Sequence, residues 1–164
     1  MSAPAAIPTS TSVVESTVIN APLSAVWHHI KPIRAPQADS PKVQNFSDFW
    51  SALKKSEFVK SQEETDVVKW TFADGAELEV KQEEHSTINH FITYSVITAK
   101  PELTYTSVVS TIRLYPVTSG AHEGSTFIEW SGNFSSDADA GVIQDAKFKR
   151  RDALADLAKA ASKK

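Results

Sequence analysis

The sequence lacks cysteine altogether. A disulfide scaffold, a thiolate nucleophile and zinc or iron–sulfur sites built on cysteine are therefore excluded. The sequence also lacks any apolar run near the roughly 20 residues that a membrane-spanning helix needs, so we expect no integral membrane association. An excess of charge of one sign is missing too. The formal net charge of −3 predicts no general attraction to nucleic acid.

The N-terminus lacks the features of a signal peptide. MSAPAAIPTSTS has no basic beginning and no apolar core of the necessary length. We expect residues 1–11 to form a flexible tail and residues 12–164 to form a single domain, because 164 residues are too few for two ordinary domains. The same observations predict a cytoplasmic protein.

The rest of the chain has a helical opening, a long β-rich middle and a helical end. SVVESTVI (12–19) is rich in β-branched residues and predicts a strand. APLSAVWHHI (21–30) and NFSDFWSALKKSEF (45–58) carry apolar residues at helical spacing and predict two short helices. Residues 135–164 predict one long helix with an Asp/Ser-rich start and a Lys-rich end. Six further strands are predicted near residues 58–62, 67–73, 76–85, 88–98, 103–115 and 125–135.

KWTFADGAELEV (69–80) predicts a tight hairpin, and its turn decides which side chains face inwards. A three-residue turn, Ala73-Asp74-Gly75 with its glycine in the left-handed conformation, pairs Trp70 with Leu78 and puts all charged residues on the other face. A two-residue turn would instead pair Trp70 with Glu79. Burying an unpaired carboxylate is costly. We therefore favour the three-residue turn.

The same alternation predicts inward faces for the later strands and for the closing helix. The inward strand residues are Ile88, His90, Ile92, Tyr94 and Val96, then Thr106, Val108, Ser110, Ile112 and Leu114, then Ile128, Trp130, Gly132 and Phe134. The helix opposes them with Val142, Ile143, Ala146, Ala153, Leu154, Leu157 and Ala161. The whole pattern predicts an α+β fold in which the last helix covers an antiparallel sheet of seven strands. Small helix residues against bulky sheet residues fit either tight packing or a cavity.

Three stretches together resemble a known superfamily: VINAPLSAVW (18–27), TYSVITAKPELTYTSVVSTIRLYP (93–116) and FIEWSGNFS (127–135). They resemble the START-like, birch-pollen-allergen-type proteins, which include polyketide cyclase/dehydrase-like proteins, lachrymatory-factor synthase and the plant abscisic-acid receptors. The resemblance implies a helix-grip fold. In this fold a curved seven-stranded antiparallel sheet, with two short helices after its first strand, wraps round a long C-terminal helix and encloses an apolar pocket.

Most of the functional residues of these relatives do not carry over to this chain. The tyrosine of the lachrymatory-factor synthase falls at Val108, and its arginine falls near Lys69, which the hairpin pairing places outside. The gate loop of the abscisic-acid receptors is shortened to Ala73-Asp74-Gly75, and their latch is replaced by Pro101-Glu102-Leu103. The scaffold is therefore expected without those known sites.

The resemblance implies that the inward residues line a ligand pocket. The residues expected to contact ligand are Trp70, Phe72, Leu78, His90, Ile92, Tyr94, Val108, Ile112, Trp130, Phe134, Ile143, Ala146 and Arg150. Arg150 belongs to the basic run KFKRR and falls near the stripe that contains Ile143 and Leu154. Two readings stay open for Arg150: it holds an acidic ligand, or it lays its stem along the apolar edge.

His90 and Tyr94 are the candidate catalytic residues. Histidine titrates near neutrality and can act as a general base, whereas the alternative is a core histidine bonded to a backbone carbonyl or water. Four residues along one strand separate the two by about 13 Å at ~3.3 Å per residue, so they form no dyad. The other four histidines show no metal-ligand spacing, and we expect neither a metal nor a cofactor.

Three functions follow as hypotheses. The first is a soluble binding or carrier protein for a small hydrophobic molecule such as a lipid, sterol, polyketide or aromatic metabolite. The second is an enzyme of the polyketide cyclase, dehydratase or isomerase kind that uses His90 and Tyr94. The third is a protein-interaction module whose own side chains fill the pocket. The oligomeric state stays open.

Overall fold

Seven strands form one antiparallel sheet within residues 11–31, 46–59 and 67–162, which the computed structural model describes. The strands are β1 (Ser12–Ile19), β2 (Leu53–Val59), β3 (Val67–Phe72), β4 (Glu77–Ser86), β5 (Phe91–Lys100), β6 (Val108–Pro116) and β7 (Thr126–Phe134). Their order is β1-β7-β6-β5-β4-β3-β2, so the first strand lies at one edge beside the last. Register shifts in β4, at Glu79/Val80 and Gln82/Glu84, are bulges of the kind that bend a sheet.

Two α-helices accompany the sheet in the described part of the chain. α1 (Leu23–Ile30) follows β1 directly, and its buried residues are Val26, Trp27 and Ile30. α2 (Ala140–Ala161) closes the domain. The predicted acidic start of α2 is confirmed, because the side chain of Asp139 caps the helix by accepting a hydrogen bond from the Val142 N–H at 2.8 Å. These elements confirm the α+β, helix-grip architecture.

The β3–β4 hairpin has the predicted three-residue turn. Trp70 pairs with Leu78, and the neighbouring pairs keep the same register. The Gly75 N–H donates to the carbonyl of Phe72 at 3.0 Å, and Gly75 adopts a φ of +91°. The charged face is outside, where Lys69 forms an ion pair with Glu77. The penalty for burying carboxylates therefore identified the correct register.

The predicted helix over residues 45–58 is wrong. Among the described residues 46–58 the only helical element is a single 3₁₀ turn, Phe46–Asp48, and Leu53–Val59 pairs with β3 as an edge strand. The four residues at helical spacing are nevertheless all buried: Phe46, Phe49, Trp50 and Leu53. The exposed backbone groups of β3 needed hydrogen-bond partners, and this tertiary demand outweighed the local helical pattern. The predicted strand near 58–62 overlaps β2 only at its end, and residues 60–62 lie outside the described residues.

Two strands begin later than predicted. β5 begins at Phe91 rather than near residue 88, because a turn over residues 87–90 joins it to β4. Ile88 is consequently 85% exposed and does not face inwards. β6 begins at Val108 rather than near residue 103, so Thr106 is exposed and outside the strand. From Phe91 and Val108 onwards, however, the predicted alternation is correct, and Ile92, Tyr94 and Ile112 are buried.

The core is divided along α2. Its C-terminal half contributes Ala153, Leu154 and Leu157 to the main hydrophobic cluster, which also contains the buried face of α1. Its N-terminal half contributes Ile143 and Ala146 to a second, smaller cluster with Val13 and Ala138. No helix of the described residues is long and apolar enough to cross a membrane.

Substitution of Gly75 tests whether the hairpin turn needs a residue with positive φ. Gly75→Ala should lower the free energy of unfolding by about 1 kcal/mol, because alanine is strained at positive φ. Nothing lies within 4 Å of an added Cβ, so backbone strain is the only cost. Gly75→Asn should lose less, since asparagine tolerates the left-handed region. Urea denaturation followed by tryptophan fluorescence measures both. Equal stability of the alanine variant and the wild type would contradict the assignment.

Candidate ligand-binding site

A cavity of about 310 Å³ lies between the inner face of the sheet and the N-terminal half of α2. Its apolar wall is formed mainly by Trp50, Trp70, Phe72, Leu78, Val108, Trp130 and Phe134. The exposed residues of its lining, among them Asp74, Glu102 and Lys149, mark the side on which the cavity opens. The shortened gate-loop position and the 101–103 loop therefore both lie at the mouth.

The cavity exists because α2 is small where the sheet is bulky. Ala146, which belongs to the smaller core cluster, and Arg150 both face the sheet and line the cavity. The alanine side chain is too short to reach the aromatic wall. At the other end of α2, Leu154 and Leu157 fill the corresponding space. The expectation that small helix residues opposite large sheet residues permit a cavity is thus realised at one half of the helix only.

The aromatic wall is held by edge-to-face ring contacts. Trp50 lies 5.5 Å from Trp130 and 5.8 Å from Trp70, and Trp70 lies 5.5 Å from Tyr94, measured between ring centroids. These distances and the steep interplanar angles are those that aromatic pairs prefer. A wall built in this way is preorganised, because each ring restricts the rotation of the next.

Most of the residues predicted to contact ligand line this cavity. They are Trp70, Phe72, Leu78, Tyr94, Val108, Trp130, Phe134, Ala146 and Arg150. Three others do not reach it. Ile92 lines a separate void of about 20 Å³. Ile112 is fully buried in the main core cluster, and Ile143 belongs to the smaller cluster near β1. The cavity occupies only part of the inner face, so inward orientation alone did not identify its lining.

His90 is not in the cavity, and its predicted place on an inward strand face is wrong. It is the last residue of the β4–β5 turn and adopts a φ of +52°, a conformation in which histidine is enriched. Its ring packs edge-to-face on Trp27 of α1 at 5.2 Å between centroids, and its carbonyl accepts a hydrogen bond from Leu114. His90 is therefore a turn residue packed on α1, and the structure does not bring it together with Tyr94.

The polar end of the cavity is built by Arg150, Ser110, Tyr94 and Trp130. Arg150 is buried, and its Nη2 donates to the hydroxyl of Ser110 at 2.9 Å. Trp130 Nε1 donates to the phenol oxygen of Tyr94 at 2.9 Å. Burial raises the pKa of Tyr94, although the Arg150 charge and hydrogen bonds from Ser110 and Trp130 oppose the shift. The Tyr94 phenol therefore stays protonated at neutral pH and is a hydrogen-bond donor rather than a base.

The sequence reasoning missed several lining residues. Trp50 was expected to be buried, but in a helix that does not form. Tyr105 lines the cavity and packs edge-to-face against Phe134 at 5.3 Å between centroids, although alternation along a strand over 103–115 would have placed it outside. Burial raises the pKa of Tyr105 as well, so it too stays protonated at neutral pH. Residues 103–107 do not alternate because β6 begins only at Val108, and LTYTS contains no glycine, proline, asparagine or aspartate that would mark this boundary.

Within the described ranges, no three histidine, cysteine or acidic side chains come together in a way that could hold a metal ion. The lining includes exposed charged residues, among them Asp74, Glu102, Asp145 and Lys149, whereas the buried polar end of the cavity carries hydroxyl, indole and guanidinium groups. Such groups suit the recognition of oxygen acceptors rather than the ligation of a cation.

The family comparison agrees with this geometry. Residues 10–162 match the family model described as polyketide cyclase/dehydrase and lipid transport. The chain belongs to this family. The match covers all the strands, both helices and every residue that lines the cavity. No curated protein matches the chain significantly.

Solved structures share the fold of this family member. A protein from Nitrosospira multiformis is 23% identical with a TM-score of 0.69, covering 90% of this chain and 94% of that one. XoxI from Bacillus cereus is 21% identical with a TM-score of 0.71, covering 92% of this chain and 94% of that one. The di-domain ARO/CYC protein StfQ from the steffimycin biosynthetic pathway is 12% identical with a TM-score of 0.69, covering 91% of this chain and 44% of StfQ. These similarities establish the helix-grip fold.

The loop at the cavity mouth is anchored by Asp137. The carboxylate of Asp137 accepts hydrogen bonds from the Thr106 N–H at 2.9 Å and the Thr106 hydroxyl at 2.7 Å. Hydrogen bonds from Ser135 and from Thr106 lower the pKa of Asp137 from its ordinary 3.8 to about 2. Thr106 directly follows the segment that lines the mouth, so this carboxylate links the mouth to the chain that leads into α2.

We therefore predict an acid-dependent loss of stability that is specific to Asp137. Because its folded-state pKa is depressed, its contribution is present above pH 3.8 and is lost as the pH falls towards 2. Asp137→Asn should remove this component, so its stability should change less between pH 4 and pH 2 than that of the wild type. Asp152→Asn, at an exposed site on α2, is the matched control. Identical pH profiles for wild type and Asp137→Asn would contradict the anchor.

Proposed function

We propose that this protein binds a small hydrophobic molecule in the cavity between the sheet and α2, as a carrier or binding protein. The observation that carries the proposal is the apolar cavity of about 310 Å³, whose wall is formed by a preorganised set of aromatic rings. Cavities of this size with an apolar lining and few polar groups suit small organic ligands. Lipids, sterols, polyketides and aromatic metabolites belong to this class.

Membership of the polyketide cyclase/dehydrase and lipid transport family supports the proposal, because that description names small hydrophobic molecules as substrates or cargo. The fold shared with StfQ, an ARO/CYC protein, points to ligands of polyketide type as one option. Cytoplasmic location and the absence of nucleic-acid partners stay predictions from composition and charge.

A cyclase-, dehydratase- or isomerase-like enzyme is the second candidate. The polar group of Arg150, Ser110 and Tyr94 favours it, since these donors could stabilise negative charge that develops on a bound polyketide. Neither predicted catalytic residue supplies a base, and the carboxylates that line the cavity, those of Asp74, Glu102 and Asp145, are exposed to solvent. His90 lies outside the cavity, and the Tyr94 phenol holds its proton. Binding therefore requires fewer additional assumptions than acid–base catalysis, and an interaction module with a filled pocket is disfavoured because the side chains leave the cavity open.

Filling the cavity tests the proposal. Val108 lines the cavity on β6, while its neighbour Val109 points outwards and is 41% exposed. Val108→Trp should reduce the affinity for N-phenyl-1-naphthylamine, a neutral dye that fluoresces in apolar surroundings, by at least tenfold, because the indole occupies the binding space. Val109→Trp should leave the affinity within twofold of the wild type. Dye titration measures the affinities, and circular dichroism checks that both variants fold.

Two results would contradict the proposed function. The first is a wild-type protein that does not bind the dye at all. The second is binding that both tryptophan variants reduce equally, which would place the dye on the outer surface. Turnover of a polyketide-type substrate by the wild type, lost in Tyr94→Phe, would favour the enzyme instead.

A further inference from the structure

We propose that the natural ligand carries an anionic oxygen group, most simply a carboxylate, and that Arg150 binds this group at the polar end of the cavity. The inference rests on the proposed function and makes it more specific: the ligand class becomes hydrophobic acids rather than hydrophobic molecules in general. It derives from the position, the partners and the surroundings of one side chain.

Arg150 is a buried cation without an anionic partner among the described residues. Its side chain is only 9% exposed, and it lines the cavity. Nη2 donates to the Ser110 hydroxyl at 2.9 Å and Nη1 to the Ala146 carbonyl at 3.2 Å, whereas Nε has no hydrogen-bond partner. All of these partners are neutral. A guanidinium buried without a countercharge is costly, which makes an anion the expected complement.

The basic residues next to Arg150 on α2 both have an anionic partner, unlike Arg150. Lys149 forms an ion pair with Asp145 at 2.8 Å, and Arg151 pairs with Glu15 at 3.0 Å. Both of these pairs involve exposed basic side chains. The residue between them turns inwards and forms no ion pair with a described carboxylate. Asp145 also lines the cavity, but it is exposed and pairs with Lys149. The sequence left two interpretations of Arg150 open. A side chain that only lays its stem along the apolar edge would keep its guanidinium in solvent, whereas Arg150 is buried.

The sheet is shaped to receive the guanidinium. Gly132 faces inwards on β7, and a Cβ at this position would lie 2.5 Å from Arg150 Nη2 and 3.1 Å from Cζ. Any other residue would thus displace the charged group. The rings of Trp130 and Phe134 lie 5.9 Å and 5.8 Å from Cζ, within the range of cation–π attraction. Glycine in the interior of a strand often marks such a close approach.

The other polar groups at this end are donors or protonated hydroxyls, whereas the carboxylates of Asp74, Glu102 and Asp145, which also line the cavity, are exposed. The Trp130 N–H already uses the Tyr94 oxygen as its acceptor, and Ser110 accepts from Arg150. The phenols of Tyr94 and Tyr105 keep their protons at neutral pH, since burial raises the pKa of each. Together with Arg150 they form a site with more donors than acceptors. A carboxylate accepts through both oxygens and complements this surplus.

The charge of the ligand tests the proposal without any variant. Isothermal titration calorimetry at pH 7.5 compares naphthalene-2-carboxylate with its neutral isostere, naphthalene-2-carboxamide. The wild type should bind the carboxylate at least tenfold more tightly, because charge-assisted hydrogen bonds to arginine are roughly twice as strong as neutral ones. Decanoate and decanamide form a second pair. Preference for the aromatic acid points to a cyclic metabolite, and preference for decanoate points to a fatty acid.

Variants then assign the preference to one residue. Arg150→Gln should reduce the affinity for the preferred acid at least tenfold and leave the affinity for its amide within twofold. Arg151→Gln, the neighbouring arginine outside the cavity, should change neither. Arg150→Lys keeps the charge and should retain part of the preference. If Arg150→Gln does not fold, the wild-type comparison of acid with amide and the Arg150→Lys result still decide the matter.

The outcomes separate this inference from the proposed function. Equal affinity for acids and amides in the wild type, or an acid preference that survives Arg150→Gln, overturns the role of Arg150 while the binding function stands. Binding of the neutral dye without binding of any acid also overturns the role of Arg150 and leaves the binding function in place. A protein that binds neither the dye nor any of these four compounds loses both the inference and the proposed function.

Discussion

A single helix has to cover the concave face of a seven-stranded sheet, and the rest of this structure depends on how α2 meets that requirement. A sheet with one apolar face must bury it against another layer. The leucines in the second half of α2 pack in the main core cluster, whereas the small side chain of Ala146 in the first half leaves space in front of the aromatic wall. The residues of α2 therefore decide both where the domain is packed solid and where it contains the cavity. The change from cavity lining at Ala146 to packed core at Leu154 takes about two turns of α2.

The position of Arg150 makes sense only together with Gly132. A charged side chain in the interior opposes stability unless its hydrogen bonds and its charge are satisfied. The glycine provides the space, and Ser110 and Ala146 satisfy two of the guanidinium nitrogens. Deviations from a purely apolar interior of this kind are typical of functional sites, since folding alone does not require them. The family assignment agrees, because its members are described in terms of polyketide chemistry and lipid transport.

Elements governed by short-range rules could be predicted, and elements governed by distant partners could not. The β3–β4 hairpin followed from the cost of burying Glu79 opposite Trp70, which involves residues close in the sequence. The failure at residues 45–58 has the opposite origin. There the helical spacing correctly identified Phe46 and Trp50 as buried, but the conformation was decided by the need of β3 for an edge partner. His90 failed for a third reason: a four-residue turn shifted the start of β5, and alternation carries no information about where a strand begins.

The amino-acid sequence by itself determined the fold class, the register of the hairpin and the inward faces of β6 and β7, because hydrophobic alternation and turn chemistry act locally. With the pocket that the family resemblance implies, nine of the thirteen expected contact residues are among those that line the cavity. Only the tertiary structure decided that the cavity occupies one half of α2, that Ile112 and Ile143 are packed core, and that Arg150 enters the interior. These outcomes depend on the volumes of side chains that meet across the sheet–helix interface, such as Gly132 with Arg150. Residues 18 positions apart in the chain meet there only after the sheet has closed on the helix.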